Sequence, residues 1–262
     1  MPASIKLQQE FGDALQVLFV ECQGADLEKS EAFAWRQKWM GTRAIWTDER
    51  PLEVAGSGLP KFALLDTEGK LLLEGNPLAM KKQIEEAIAE QVKKATSAPA
   101  GTPDKLAKTW ARFVKGDIAA ALAECEKLGT DASLAEPAKT LRAEMMTRAE
   151  GKIARGQWLV TNGYVAEASE HFAGLAKAVK GSHELESKIS DELTRLQAPD
   201  KTLSAEAEAS KALASLQQKM VKDKAFEDAN VKALQKLAEK HAGTKAAERA
   251  ARLAKLASIE FR

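Results

Sequence analysis

At 262 residues the chain is too long for one small core, and two domains are the natural expectation. Charged residues make up 29% and apolar residues 45%, an ordinary globular balance, while a formal net charge of +1 supplies no global field to draw in nucleic acid or an anionic membrane. No apolar run approaches the ~20 residues that a membrane-spanning helix needs.

The first ten residues, "MPASIKLQQE", lack both the basic and the apolar regions of a signal peptide. The two cysteines, Cys22 and Cys125, lie far apart and form neither a CxxC pair nor a metal-binding spacing. None of the three histidines, His171, His183 and His241, lies within four residues of another, so no zinc site and no other metal site is expected.

In chain order, strands are expected at "LQVLFVEC" (15–22), "TRAIWT" (42–47), "KFALLD" (61–66) and "KLLLEG" (70–75). Between the first two, "KSEAFAWRQKWM" (29–40) places Phe33, Trp35, Arg36 and Trp39 at helical spacing, with Trp35 and Trp39 on one face. "PLAMKKQIEEAIAEQVKKA" (77–95) predicts another helix, with Pro77 at its first position and Leu78, Ile84, Ile88 and Val92 as the buried stripe. The order is helix, strand, helix, three strands, helix.

"TSAPAGTPD" (96–104) then reads as a linker. The expected division is 1–96 for the first domain, 97–104 for the linker and 105–262 for a second, wholly helical domain. Helices are predicted there near 104–115, 117–128, 133–161, 163–180, 183–197, 203–222, 226–241 and 244–258. Pro199-Asp200 and Gly243-Thr244 supply breaks.

The stretch "LPKFALLDTEGKLLLEGNP" (59–77) resembles the second half of a thioredoxin-like domain: a cis-proline loop, a strand, a D-x-x-G turn, a returning strand and a final helix across the sheet. Pro60 stands at the cis-proline position and "DTEG" (66–69) at the turn. "QVLFVECQGADLEKSEAFAWRQKW" (16–39) resembles the family's first strand, active-site loop and long helix. The resemblance covers roughly residues 5 to 95 and implies an α/β domain. Where the family carries its CxxC, this chain has "ADLEK" (25–29), so dithiol exchange has no resolving thiol within the domain. Asp26 and Glu28 suit the cap and dipole of a helix start instead.

Cys22, at the end of the first strand, is read first as a small buried residue and second as the nucleophile of a one-cysteine reductase or peroxidase. Cys125 is expected in the core. Trp35, Trp39 and Trp46 are expected to pack, with one of the three left open as a partner surface; together with Pro60 they are the candidate binding residues.

In the second half, "FVKGDIAAALAECEKL" (113–128), "VTNGYVAEASEHFAGLAK" (160–177) and "MVKDKAFEDANVKALQKLAEK" (220–240) each end one helix and begin another. Ile118 and Ala121, Val165 and Ala168, and Phe226 and Ala229 recur as a large residue followed by alanine three later. These stretches resemble degenerate tetratricopeptide-type helix pairs, with Trp110 and Trp158 as the large anchors of the preceding helices. The theme recurs after 47 and then 61 residues rather than the ~34 of a regular array. The fold class expected is therefore α/β plus all-α.

The chain contains no GxSxG, HExxH, P-loop or GxGxxG motif. The combined resemblance implies a non-catalytic interaction protein or scaffold, with no cofactor, a protein as partner, and no part played by nucleic acid. The alternative is a thiol-dependent oxidoreductase using Cys22. Resemblance to bacterial envelope proteins gives an expectation of the periplasm or cell envelope with a leader removed.

Overall fold

The structure is a computed structural model and describes residues 2–40, 45–50, 52–55, 58–197 and 201–260. The chain divides into two compact units. One comprises Met1–Thr96 with Ile259–Arg262, and the other comprises Ser97–Ser258.

The first unit mixes helices with strands. Its elements are α1 (Pro2–Phe11), a 3-10 turn (Gly12–Ala14), β1 (Leu18–Val20), α2 (Leu27–Arg36), β2 (Ile45–Thr47), β3 (Phe62–Leu65), β4 (Leu71–Gly75) and α3 (Lys81–Thr96). The order agrees with the sequence reading. β1 and β2 pair in parallel with Phe19 opposite Trp46, while β3 and β4 form an antiparallel hairpin with Leu64 opposite Leu73. Among the described residues these are two separate two-stranded ladders rather than one sheet.

The hairpin turn forms as its "DTEG" residues require. Asp66 Oδ1 accepts the N–H groups of Glu68 and Lys70, each at 2.9 Å, and Gly69 takes φ +81°.

Two helix expectations in this unit need correction. Pro77 does not open α3: the Asn76 side chain accepts the Leu78 N–H at 2.9 Å, holding a turn that delays the helix until Lys81. Leu78 therefore stands 81% exposed instead of joining the buried stripe, of which Ile88 is the fully buried member. Trp39 does not share a helix face with Trp35. α2 stops at Arg36, and Lys38 adopts φ +59°. The Lys38 N–H then reaches Trp35 O at 3.0 Å and the Trp39 N–H reaches Ala34 O at 2.9 Å, which is a Schellman closure.

The second unit is all helix: α4 (Asp104–Val114), α5 (Ile118–Leu128), α6 (Ala135–Thr161), α7 (Val165–Ala178), α8 (His183–Gln197), α9 (Lys201–Lys222), α10 (Asp228–Lys240) and α11 (Lys245–Ala257). Helices α4 to α8 pack each on the next in order; α9 then packs against α7, α10 and α11. The core runs through Leu106 and Trp110 of α4, Ile118 and Leu122 of α5, Met145 of α6, Phe172 of α7 and Ile189 of α8. The Gly243-Thr244 break holds, with Thr244 Oγ1 capping α11 through the Ala247 N–H at 3.0 Å. The Pro199-Asp200 break lies outside the described residues.

Two of the three recurring pairs are buried as expected, Ile118 with Ala121 and Val165 with Ala168. The third is not. α10 begins at Asp228, so Phe226 sits half-buried in the preceding turn and Ala229 faces solvent. Asn230 is the buried residue there, donating from Nδ2 to Lys224 O at 3.0 Å. Trp110 is a buried anchor, whereas Trp158 is 58% exposed.

Candidate functional site

In the first unit the loop between β1 and α2 is built around a carboxylate. Glu21 accepts the N–H groups of Gln23 at 2.6 Å, Gly24 at 3.0 Å and Ala25 at 3.2 Å, and Gly24 takes the left-handed φ of +73° that this turn needs. Asp26 then caps α2, its Oδ1 accepting the Lys29 N–H at 2.9 Å, while Glu28 lies in the first turn. Both acids do at the helix start what the sequence reading assigned to them.

Cys22 is exposed, which corrects the expectation of a buried strand-end residue. β1 ends at Val20, and the loop wraps onto the Glu21 carboxylate instead of continuing as strand. Arg50 approaches this point, donating from Nη2 to Cys22 O at 2.8 Å. Cys125 is a free thiol buried between helices, and burial pushes its thiol pKa up.

Of the candidate binding residues, Pro60 is exposed and follows a cis Leu59–Pro60 bond. Trp35 is buried, so it is a packing residue and offers no surface; its Nε1 has no hydrogen-bond partner among the described residues. Trp39 is half-buried and gathers Phe33 and Phe19, with ring centroids at 5.4 and 6.3 Å. Trp46 belongs to β2, and its side chain lies outside the described part of the chain.

The second unit holds a feature the sequence did not signal. A cleft of about 390 Å³ opens at the α6–α7 turn. Its apolar lining is Val160 and Leu203; Arg195 of α8, Glu206 of α9 and Lys245 of α11 supply the charge. Glu206 accepts the N–H of Lys245 at 2.7 Å and of Ala246 at 2.9 Å, so a carboxylate from α9 satisfies the start of α11.

Lys245 Nζ in turn donates to Thr161 O at 2.7 Å, and Arg249 donates to Asn162 O at 3.0 Å and to Gly163 O at 2.7 Å. Cations of α11 therefore satisfy the carbonyls at the end of α6, where the helix dipole is negative. Gly163 is required at the turn: its φ is +74°, and a β-carbon there would stand 2.6 Å from Lys245 Cβ. The local signal for this turn was "TNGY" (161–164). Nothing local pointed to partners some forty to ninety positions later.

Among the described residues no group of His, Cys, Asp and Glu could hold a metal ion, and no helix is long and apolar enough to cross a membrane. No protein-family model, curated protein or solved structure matches the chain.

Proposed function

We propose that the chain is a non-catalytic interaction protein. In this reading a thioredoxin-like unit without its redox pair is joined to a helical unit of tetratricopeptide-like pairs. It binds another protein through the helical unit, through the surface around Pro60, or through both. The observation that carries it is Asp26, whose carboxylate caps α2 where the thioredoxin pattern sets a thiol. The order of strands and helices in the first unit, the "DTEG" turn and the buried pairs Ile118/Ala121 and Val165/Ala168 support the same reading. A disulfide-reduction assay on insulin with dithiothreitol as electron source tests it. The expected rate is that of dithiothreitol alone; protein-dependent turnover overturns the reading.

The exposure of Cys22 favours a second reading, a thiol-dependent oxidoreductase. Its thiolate would form a mixed disulfide with a substrate, and a thiol from another molecule would resolve it. This reading requires fast, pH-dependent alkylation of Cys22 in the folded chain and loss of turnover in C22S.

A further inference from the structure

We propose that the α6–α7 turn of the helical unit is a docking site for an acidic protein segment, anchored on Trp158 and on the cleft beside it. The inference deepens the interaction-protein reading and rests on it. The site lies at the end of a helix pair, where α8, α9 and α11 converge, rather than along the inner faces of successive pairs.

Three observations carry it. Trp158 is 58% exposed. Tyr164 stacks on it with ring centroids 6.0 Å apart and planes 12° apart, and the Arg249 guanidinium lies 4.1 Å from the centre of the Tyr164 ring. Arg249 is itself fixed by the carbonyls of Asn162 and Gly163. A large apolar surface held this way loses little side-chain freedom when a partner covers it. Trp, Tyr and Arg are also the residue types that dominate binding hot spots.

The stack is continuous with the cleft. Gly163 lines the cleft and also receives Arg249, and Thr161, on the cleft wall, is one turn from Trp158 on α6. Val160 and Leu203 give the cleft an apolar lining that accommodates one aliphatic or aromatic side chain.

The charges select the partner. Among the described residues, the carboxylate that lines the cleft and the one beside Arg195 already have partners within the chain. Glu206 is bound to the two N–H groups at the start of α11, and Glu192 is bound to Gln157 at 2.7 Å. Glu192 is also 3.6 Å from Arg195, with its side chain 11% exposed against 55% for Arg195. Arg195 and Lys245 present the outward charge, with Arg249 behind them. A partner carboxylate gains a guanidinium fork, whereas a basic partner meets repulsion.

The test uses the full chain and a fluorescein-labelled peptide of Glu and Asp with a central Phe, read by fluorescence anisotropy. The controls are the same peptide with Lys at every acidic position and a single-stranded oligouridylate. The acidic peptide is expected to bind, more weakly as salt rises. W158A and R195Q, both at exposed positions and checked for folding by circular dichroism, are each expected to weaken it roughly tenfold. The proposal is overturned if the acidic peptide does not bind, if the basic peptide or the oligouridylate binds as well, or if both variants retain full affinity. Those outcomes leave the insulin assay untouched, and turnover in that assay leaves this titration readable, so the two readings fail separately.

Discussion

Gly156 on α6 faces the ring of Phe172 on α7 so closely that a β-carbon at 156 would stand 2.4 Å from Phe172 Cζ. Phe172 is fully buried and cannot swing away. The missing side chain is what lets the two helices approach at this level, so the glycine is a packing residue despite its low helix propensity.

Replacing Gly156 with alanine sets two effects against each other. Alanine gains about 1 kcal/mol in helix propensity. Overpacking a rigid core site costs about 1–3 kcal/mol and here meets an aromatic ring, which leaves few ways to relax. The steric term wins, and G156A is expected to lower the urea midpoint without changing the slope. Combining it with F172L is expected to recover part of the loss, so the two substitutions are non-additive. Equal losses in G156A with and without F172L would remove the proposed contact.

The two thiols should separate cleanly. Cys22 is exposed, while Cys125 is buried and its thiol is pushed up in pKa by desolvation. Titration with a chromogenic disulfide reagent is expected to modify one thiol rapidly in the native protein and the second only after denaturation. C22S should abolish the fast phase and leave the slow one. A fast phase that survives in C22S contradicts the burial of Cys125.

The hydrogen bonds to Asp66 give the hairpin an expected pH dependence of definite sign. Hydrogen bonding from the Lys70 N–H, then from the Glu68 N–H, holds its carboxyl below the usual aspartate value, with smaller help from Lys94 and Lys70 charges. A carboxylate with a depressed folded pKa contributes stability above its unfolded pKa and loses it as pH falls through the folded value. D66N keeps an acceptor oxygen but cannot titrate. The stability advantage of the parent over D66N is therefore expected at neutral pH and should shrink on acidification, measured by urea unfolding at a series of pH values. An advantage that grows toward acid reverses the sign and rejects this account.

Much of the architecture was legible in the residues because its causes are local. Apolar spacing marked every helix of the second unit to within a few positions, and "DTEG" specified its turn through one aspartate and one glycine. The structure departs from these expectations where short-range hydrogen bonds, from a side chain at Asn76 and Glu21 and from the backbone at Lys38, changed the path. Asn76 held a turn that Pro77 and Leu78 were expected to continue as helix, Lys38 closed α2 before Trp39 could join it, and Glu21 drew the chain into a loop that exposed Cys22. Each is a competition between short-range hydrogen bonds, which hydrophobic periodicity does not register.

The sequence by itself determined that there is no CxxC pair, that strands give way to helices near residue 96, and that Asp26 and Glu28 stand where a helix start favours acids. Tertiary structure alone decided that Trp35 is buried while Trp158 is exposed, and that Glu206 meets Lys245 beside Gly163. The physical reason is range. Capping and amphipathic spacing act over a few residues and can be read in order. Which aromatic faces solvent, and which carboxylate closes on which helix end, depends on how helices far apart in the chain come to pack.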